Sequence, residues 1–338
     1  MNTGLKITAF AAAVAATFGT AYGVGKGVDP VTSQKKPASE HGGHGGGEEA
    51  DAGKKQGGGH AAEVPGGLQI SERGYTLDLK TARIDAEKRE QLRFTIVRDG
   101  SGKNDKDGKN GKDDKGKNVT AYEKEHDKEL HLIVASRDLT TYRHLHPARA
   151  ADGTWSTPVE LPEAGGYRVF ADFKPQGAQE GLTLGADLAV AGKYDPAGLP
   201  AHDTKASVDG YEVGLKGELK PGKPAGLTLN VSKNGKPVTD LQPYLGSYGH
   251  LVALRSGDLA YLHVHPTGEP GDGRTKPGPG VSFQATAPSA GAYRLFLDFK
   301  HEGKVRTAAF TVHAGGSAGG ADAGGGETAE SGDSGHAH

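Results

Sequence analysis

The chain contains no cysteine, and its one methionine is the first of its 338 residues. The absence of cysteine excludes disulfides, thiolate zinc sites and the His₂Cys site of blue copper proteins. Because there is no internal methionine, thioether sites for copper(I) are excluded as well. Any bound metal ion would therefore use imidazole, carboxylate or main-chain ligands, and imidazole suits copper(II) and zinc(II).

The chain also lacks a strong net charge, since 40 Lys and Arg stand against 42 Asp and Glu, for a formal net charge of −2. This balance gives no electrostatic argument for nucleic acid, and we predict no nucleic-acid partner. Long helix-forming runs are scarce. Short segments rich in Val, Thr, Tyr, Phe and Leu lie between Gly and Pro, which is typical of an all-β protein.

The two ends of the chain differ in composition from its middle. An apolar run of small residues at 7–25 follows Lys6, which predicts a signal peptide at 1–25 or, if it stays uncut, a membrane anchor. Residues 26–67 and 315–338 are rich in Gly and His without hydrophobic periodicity, so we expect a disordered tether and a disordered tail. The chain is therefore expected to be secreted, or anchored to a membrane outside the cytoplasm.

The middle of the chain contains the same pattern twice. HLIVASRDLTTYRHLHP begins at residue 131, and HLVALRSGDLAYLHVHP, which begins at residue 250, aligns with it without a gap. YRVFADFK and YRLFLDFK follow in the same order. Each copy has the length and strand number of a Greek-key β-sandwich of immunoglobulin or cupredoxin-like type. We predict repeats at 68–192 and 206–314, a linker at 193–205 and a flexible insertion at 100–118.

Each repeat carries three histidines at matching positions, namely His131, His144 and His146 in the first and His250, His263 and His265 in the second. Turns at Arg137-Asp138 and Ser256-Gly257 would place the first two histidines of each set directly opposite each other in a hairpin. The third lies two residues further on and so shares their face. This pattern predicts a copper(II) or zinc(II) site in each repeat, or a shared site if a pseudo-twofold axis brings the two faces together.

Two carboxylates and two tyrosines are candidates for a fourth ligand or an outer-shell partner. Tyr142 and Tyr261 lie on the histidine face of the hairpins. Asp172 and Asp298 join that face if YRVFADFK and YRLFLDFK, which we call the Tyr-Arg strands, pair with the hairpins. The alternative for each carboxylate is a salt bridge to arginine. Four other histidines, in the repeats and the linker, have no counterpart in the other copy and are expected at the surface; they are His126, His202, His301 and His313.

The repeats resemble secreted, duplicated, His-rich heavy-metal-binding proteins of high-GC Gram-positive bacteria. The resemblance covers both repeats and rests on ELHLIVASRDLTTYRHLHP, GGYRVFADFKP, GDLAYLHVHP and YRLFLDFKHEGKVRTAAF. More distantly, the architecture and the His-x-His pairs are similar to those of periplasmic copper-resistance proteins of the C type. These resemblances imply export and metal handling, and they supply no reaction.

Three functions follow from these observations. The first is an exported copper- or zinc-binding protein for storage, delivery or resistance, whose partner is the metal ion together with a metal-transport or cell-surface protein. The second is a structural or interaction module at the cell surface, whose histidines are incidental or pH-sensitive. The third is a metalloenzyme, because three protein ligands and an open position are the catalytic zinc arrangement. No general base or nucleophile motif supports catalysis, so a non-catalytic role is favoured.

Overall fold

The computed structural model describes residues 64–99, 116–262 and 264–316, and all of them belong to one compact unit. Their regular secondary structure is entirely β, as the sequence predicts. No helix among these residues is long and apolar enough to cross a membrane. The predicted signal or anchor segment, most of the tether and the insertion, and nearly all of the tail lie outside the described residues.

The first repeat is a sandwich of two sheets. One sheet has the strand order β1-β2-β4-β9-β8, and the other has the order β3-β11-β10-β6-β7, with β5 pairing with β10. The strands are β1 Ser71–Glu72, β2 Tyr75–Leu79, β3 Arg83–Asp85, β4 Arg89–Arg98, β5 Tyr122–Glu123, β6 Leu130–Ser136, β7 Tyr142–Leu145, β8 Ala148–Arg149, β9 Thr154–Glu160, β10 Gly165–Pro175 and β11 Leu182–Ala191.

The second repeat builds a corresponding pair of sheets. Their strand orders are β12-β13-β14-β19-β18, with β15 beside β14, and β17-β16-β20-β21. The strands are β12 Lys205–Val208, β13 Tyr211–Lys216, β14 Pro224–Lys233, β15 Lys236–Pro237, β16 His250–Arg255, β17 Tyr261–Leu262, β18 Val264–Pro266, β19 Gly280–Thr286, β20 Gly291–His301 and β21 Lys304–Ala314.

Strand β10 shows why both faces of the second sheet of repeat 1 are buried. Its odd-numbered residues from Tyr167 to Phe173 pack in the core of the first sandwich. Its even-numbered residues point to the other face, as the two-residue period of a strand requires. Phe170 is on that face, and it belongs to a separate apolar cluster that contains residues of both repeats.

This third apolar cluster joins the two repeats. Tyr142 stacks on Phe296 with ring centres 4.1 Å apart, and Phe170 contacts Tyr261 at 5.7 Å. Each pair joins a hairpin tyrosine of one repeat to the Tyr-Arg strand of the other repeat. The two repeats therefore use equivalent residues to contact each other, as subunits do at a twofold interface. The buried members are Ile133, Ala135, Leu139, Tyr142 and Phe170 from the first repeat, and Val252, Leu254, Leu259 and Phe296 from the second.

Just before its first strand, the chain makes backbone hydrogen bonds to both repeats. The Tyr261 N–H donates a hydrogen bond to the Gly66 carbonyl at 3.0 Å, and the Gly67 N–H donates to the Thr183 carbonyl at 2.8 Å. Arg168 donates from Nε to the Gly67 carbonyl at 2.7 Å. Gly66 and Gly67, at the end of the predicted tether, are therefore part of the fold, because their backbone groups are paired within it.

Candidate functional site

The hairpins that carry the histidines have a different register from the predicted one. His144 lies opposite Ile133, and Tyr261 lies opposite Leu254, so each hairpin is shifted by two residues. The reason is that four residues, rather than two, form each turn, since Ser136 pairs with Thr141. A shift of two residues leaves every side chain on its predicted face. The faces are therefore as expected, although the opposed pairs are not.

The Tyr-Arg strands pair beside the hairpins, as the interpretation of Asp172 and Asp298 required. Asp172 lies opposite His131 in the β10–β6 ladder, and Asp298 lies opposite His250 in the β20–β16 ladder. Both carboxylates therefore share the histidine face of their own sheet.

Three of the predicted histidines come together at the junction of the two repeats. One ring nitrogen from each of His131, His144 and His146 lies within 4.8 Å of the others. His131 is supplied by β6, His144 by β7, and His146 by the residues directly after β7. The ring centres are separated by 5.3 Å, 5.2 Å and 4.9 Å. We refer to these three side chains as the histidine cluster.

Hydrogen bonds to the outer ring nitrogens determine which nitrogens face inward. The Glu125 carbonyl can only accept, so His131 donates to it from Nε2 at 3.0 Å. The Asp298 carboxylate accepts from His144 Nδ1 at 2.8 Å. In the neutral rings, His131 Nδ1 and His144 Nε2 then each carry a lone pair, and these two atoms are 3.1 Å apart.

His146 is the third member of the histidine cluster. Its Nε2 is buried and has no hydrogen-bond partner, which is costly for a polar atom away from water. The ring of Tyr244, from the second repeat, lies edge-on to His146 at 6.2 Å. Burial, followed by the charge of Asp298, raises the pKa of Tyr244 to about 12, so this phenol stays protonated at neutral pH.

His250 of the second repeat lies against the histidine cluster. Its ring stacks on His131 with centres 5.7 Å apart and is 5.9 Å from His144. His250 donates from Nε2 to the Leu245 carbonyl at 3.0 Å. His131 makes a similar bond to Glu125, which lies one position earlier in its turn than Leu245 does. The turns that supply the two carbonyls, Glu125–Lys128 and Tyr244–Ser247, are also equivalent in the two repeats.

Burial keeps the imidazoles of His131, His146 and His250 neutral. It lowers the pKa of His131 to about 4, with the proximity of His144 as the second cause. Burial likewise lowers the pKa values of His146 and His250 to about 3. Neutral imidazole is the form that binds metal ions, so these side chains are ready to act as ligands at neutral pH.

The carboxylates and tyrosines predicted beside the histidines have different surroundings. Asp298 is nearly inaccessible, and it accepts hydrogen bonds from His144 and from the Thr307 hydroxyl at 2.5 Å. Asp172 accepts from the equivalent Thr183 hydroxyl at 3.1 Å. Tyr142 and Tyr261 are at the interface of the repeats, where burial raises both pKa values well above the usual range.

The second predicted set of histidines is arranged differently from the first. Strand β17 ends at Leu262, and the chain then crosses to β18 in the other sheet, where the exposed His265 lies opposite Gln284. His263 lies outside the described residues, so a separate site in the second repeat stays a prediction.

Sequence reasoning missed two side chains of this region and misjudged another. His126 is at the surface, as expected, but its ring also contacts His250 with ring centres 4.7 Å apart, which the sequence did not indicate. Tyr244 gave no signal, because the matching position in the first repeat is Glu125. His301 was expected at the surface and is buried instead, since its ring nitrogens bond Tyr211 and Asp240 at 2.7 Å and 3.0 Å.

Comparisons with known proteins concern the fold and the family. Solved structures similar to this chain include the Escherichia coli adhesin FdeC, with 14% identity over 73% of this chain and a TM-score of 0.22. An Escherichia coli alpha-2-macroglobulin has 10% identity over 71% of the chain and a TM-score of 0.22. The integrin-binding protein invasin has 11% identity over 70% and a TM-score of 0.19. The matches span 65%, 20% and 39% of these three proteins, respectively.

No curated protein sequence matches this chain. A family model does match, and it does so twice, at residues 70–188 and at residues 206–316. The two matches coincide with the two sandwiches and together cover more than half of the chain. The chain therefore belongs to the family described as a domain of unknown function (DUF8832).

Proposed function

We propose that this chain is an exported protein that binds copper(II) or zinc(II) at the histidine cluster, for metal storage, delivery or resistance. Export rests on the apolar segment at residues 7–25, which follows Lys6. The partner would be the metal ion, together with a metal-transport or cell-surface protein that exchanges it. No catalytic step is part of the proposal.

The observation that carries this proposal is the pair of facing nitrogens, His131 Nδ1 and His144 Nε2, at 3.1 Å. Two lone pairs at this distance repel each other unless a proton or a cation lies between them. Burial lowers the pKa of His131 to about 4, which disfavours a proton on that ring at neutral pH. Nitrogens bound at 2.0–2.1 Å to one tetrahedral ion lie about 3.3 Å apart, so the observed distance suits a shared ion.

Asp298 supports the same proposal from the outer shell. A carboxylate that accepts the second N–H of a ligating imidazole orients the ring and increases its basicity, and this partnership accompanies metal-binding histidines in general. His144 and Asp298 have side chains that are 4% and 3% exposed, so water does not compete for this bond. A cation beside the cluster would also offset the charge of the buried carboxylate.

The test is metal content, measured by mass spectrometry on the full chain after loading with copper or zinc, a wash with a weak chelator and desalting. The variant His144→Ala/His146→Ala should bind about one ion fewer than the parent. The matched control is His336→Ala/His338→Ala, which removes another His-x-His pair from the C-terminal tail and should retain the ion. Circular dichroism of the metal-free proteins checks that the fold is intact.

Two results would contradict the proposal. Full metal retention by His144→Ala/His146→Ala, with loss in the tail variant, would place the ligands in the tail. A parent protein that keeps no ion after the wash would favour the alternative, an interaction module whose histidines bind nothing.

A further inference from the structure

We infer that His250 is a fourth ligand of the same ion, so that the metal bridges the two repeats and its coordination shell is closed by protein. This inference rests on the proposed function and adds the coordination number and the coupling between repeats. It changes the expected chemistry, because structural and storage sites have four protein ligands, whereas catalytic zinc sites keep one open position.

The hydrogen bond from His250 Nε2 to the Leu245 carbonyl determines which of its nitrogens is available. The carbonyl can only accept, so in the neutral ring Nδ1 has the lone pair. His131 is held in the same way by Glu125, and its Nδ1 is the atom that faces His144. In both equivalent histidines, Nδ1 is therefore the nitrogen that is left to bind a metal ion.

The spacing of the rings agrees with a shared ion. An imidazole bound at 2.0–2.1 Å has its ring centre about 3.2 Å from the metal, so two rings at a tetrahedral angle have centres about 5.2 Å apart. The centre of His250 is 5.7 Å from that of His131 and 5.9 Å from that of His144. The difference for these two rings is less than 1 Å, which is on the order of ordinary thermal displacement. His250 lies outside the group of nitrogens that are within 4.8 Å of one another, so its ring must move toward the cluster to complete the shell.

Contacts around the cluster also cross between the repeats. Asp298 of the second repeat holds His144 of the first, and Tyr244 of the second lies against His146 of the first. Because both repeats supply ligands and outer-shell groups, metal binding must favour the paired arrangement of the repeats. By linkage, the ion stabilises the junction in proportion to its affinity for it.

The test uses X-ray absorption spectroscopy of the full chain carrying one equivalent of zinc, which counts the coordinated imidazoles. We expect four in the parent and three in His250→Ala, with zinc affinity in a competition titration reduced at least 10-fold. His202→Ala removes an exposed histidine of the linker and is the matched control; it should keep four imidazoles and the parent affinity.

The outcomes separate this inference from the proposed function. Three imidazoles in both the parent and His250→Ala, at equal affinity, would overturn the fourth ligand and leave the three-histidine site standing. If His250→Ala does not fold, His250→Gln replaces it, and a retained count of four imidazoles in that variant overturns the inference. An absence of bound zinc in the parent would overturn both proposals.

Discussion

Replacing Asp298 with asparagine tests the outer shell of the histidine cluster most directly. The side chain keeps its shape and one acceptor oxygen but loses its charge, so the bond from His144 Nδ1 becomes a neutral one. Hydrogen bonds to charged groups contribute about 1.5–3 kcal/mol, against about 1 kcal/mol for neutral pairs. The loss of an outer-shell partner typically lowers metal affinity 10- to 100-fold, or about 1.4–2.8 kcal/mol. We expect zinc affinity to fall within this range.

The matched control is Asp172→Asn, the same change at the equivalent position of the first repeat. Asp172 accepts from Thr183 as Asp298 accepts from Thr307, but the contact to His144 belongs to Asp298. Affinity is measured by competition with a chromophoric chelator, and unfolding by urea monitors stability. Equal losses of affinity in the two variants, or no loss in Asp298→Asn, would refute the orienting role of this carboxylate.

Two further predictions concern stability. The metal-free protein should become less stable on acidification from pH 6.5 to 4, because buried neutral histidines such as His131, with a pKa of about 4, bind protons more readily when unfolded. This one residue accounts for on the order of 3 kcal/mol at pH 4, and urea unfolding that is unchanged between pH 7 and 4 would contradict it. Gly185→Ala should cost about 1–3 kcal/mol, because the new Cβ would lie 2.0 Å from the Gly67 oxygen. Gly214→Ala, whose Cβ meets nothing within 4 Å, should be close to neutral in the same thermal or urea unfolding.

The fold was predictable because its signals are local and occur twice. Side chains along the strand YRVFADFK point alternately to its two faces. Tyr167 and Phe173 therefore lie in the core and Phe170 lies at the interface between the repeats, whatever the exact register of the strand. The same two-residue period explains why the histidine faces were correct even though the turns were two residues too short. Turn length depends on backbone conformation at a few residues, such as Leu139 with a positive φ of 61°, and leucine gives no signal for it.

The histidine cluster was only partly predictable, because its surroundings come from both repeats. The spacing of His131, His144 and His146 places them on one hairpin, which is a local property. The partner of His144 is Asp298 rather than a residue of its own repeat, and this follows only from how the sandwiches pack. The buried position of His301 also depends on distant partners, since Tyr211 and Asp240 are not its neighbours in sequence.

The entry of the chain between the repeats has a mechanical consequence. Gly66 accepts a hydrogen bond from Tyr261 of the second repeat, while Gly67 is held by Thr183 and Arg168 of the first. A pulling force applied to the chain before residue 64 would therefore reach both sandwiches at the same point, before it is transmitted through the linker. The force would act on the junction that also contains the histidine cluster, so tension on the N-terminal segment and occupancy of the cluster should influence each other.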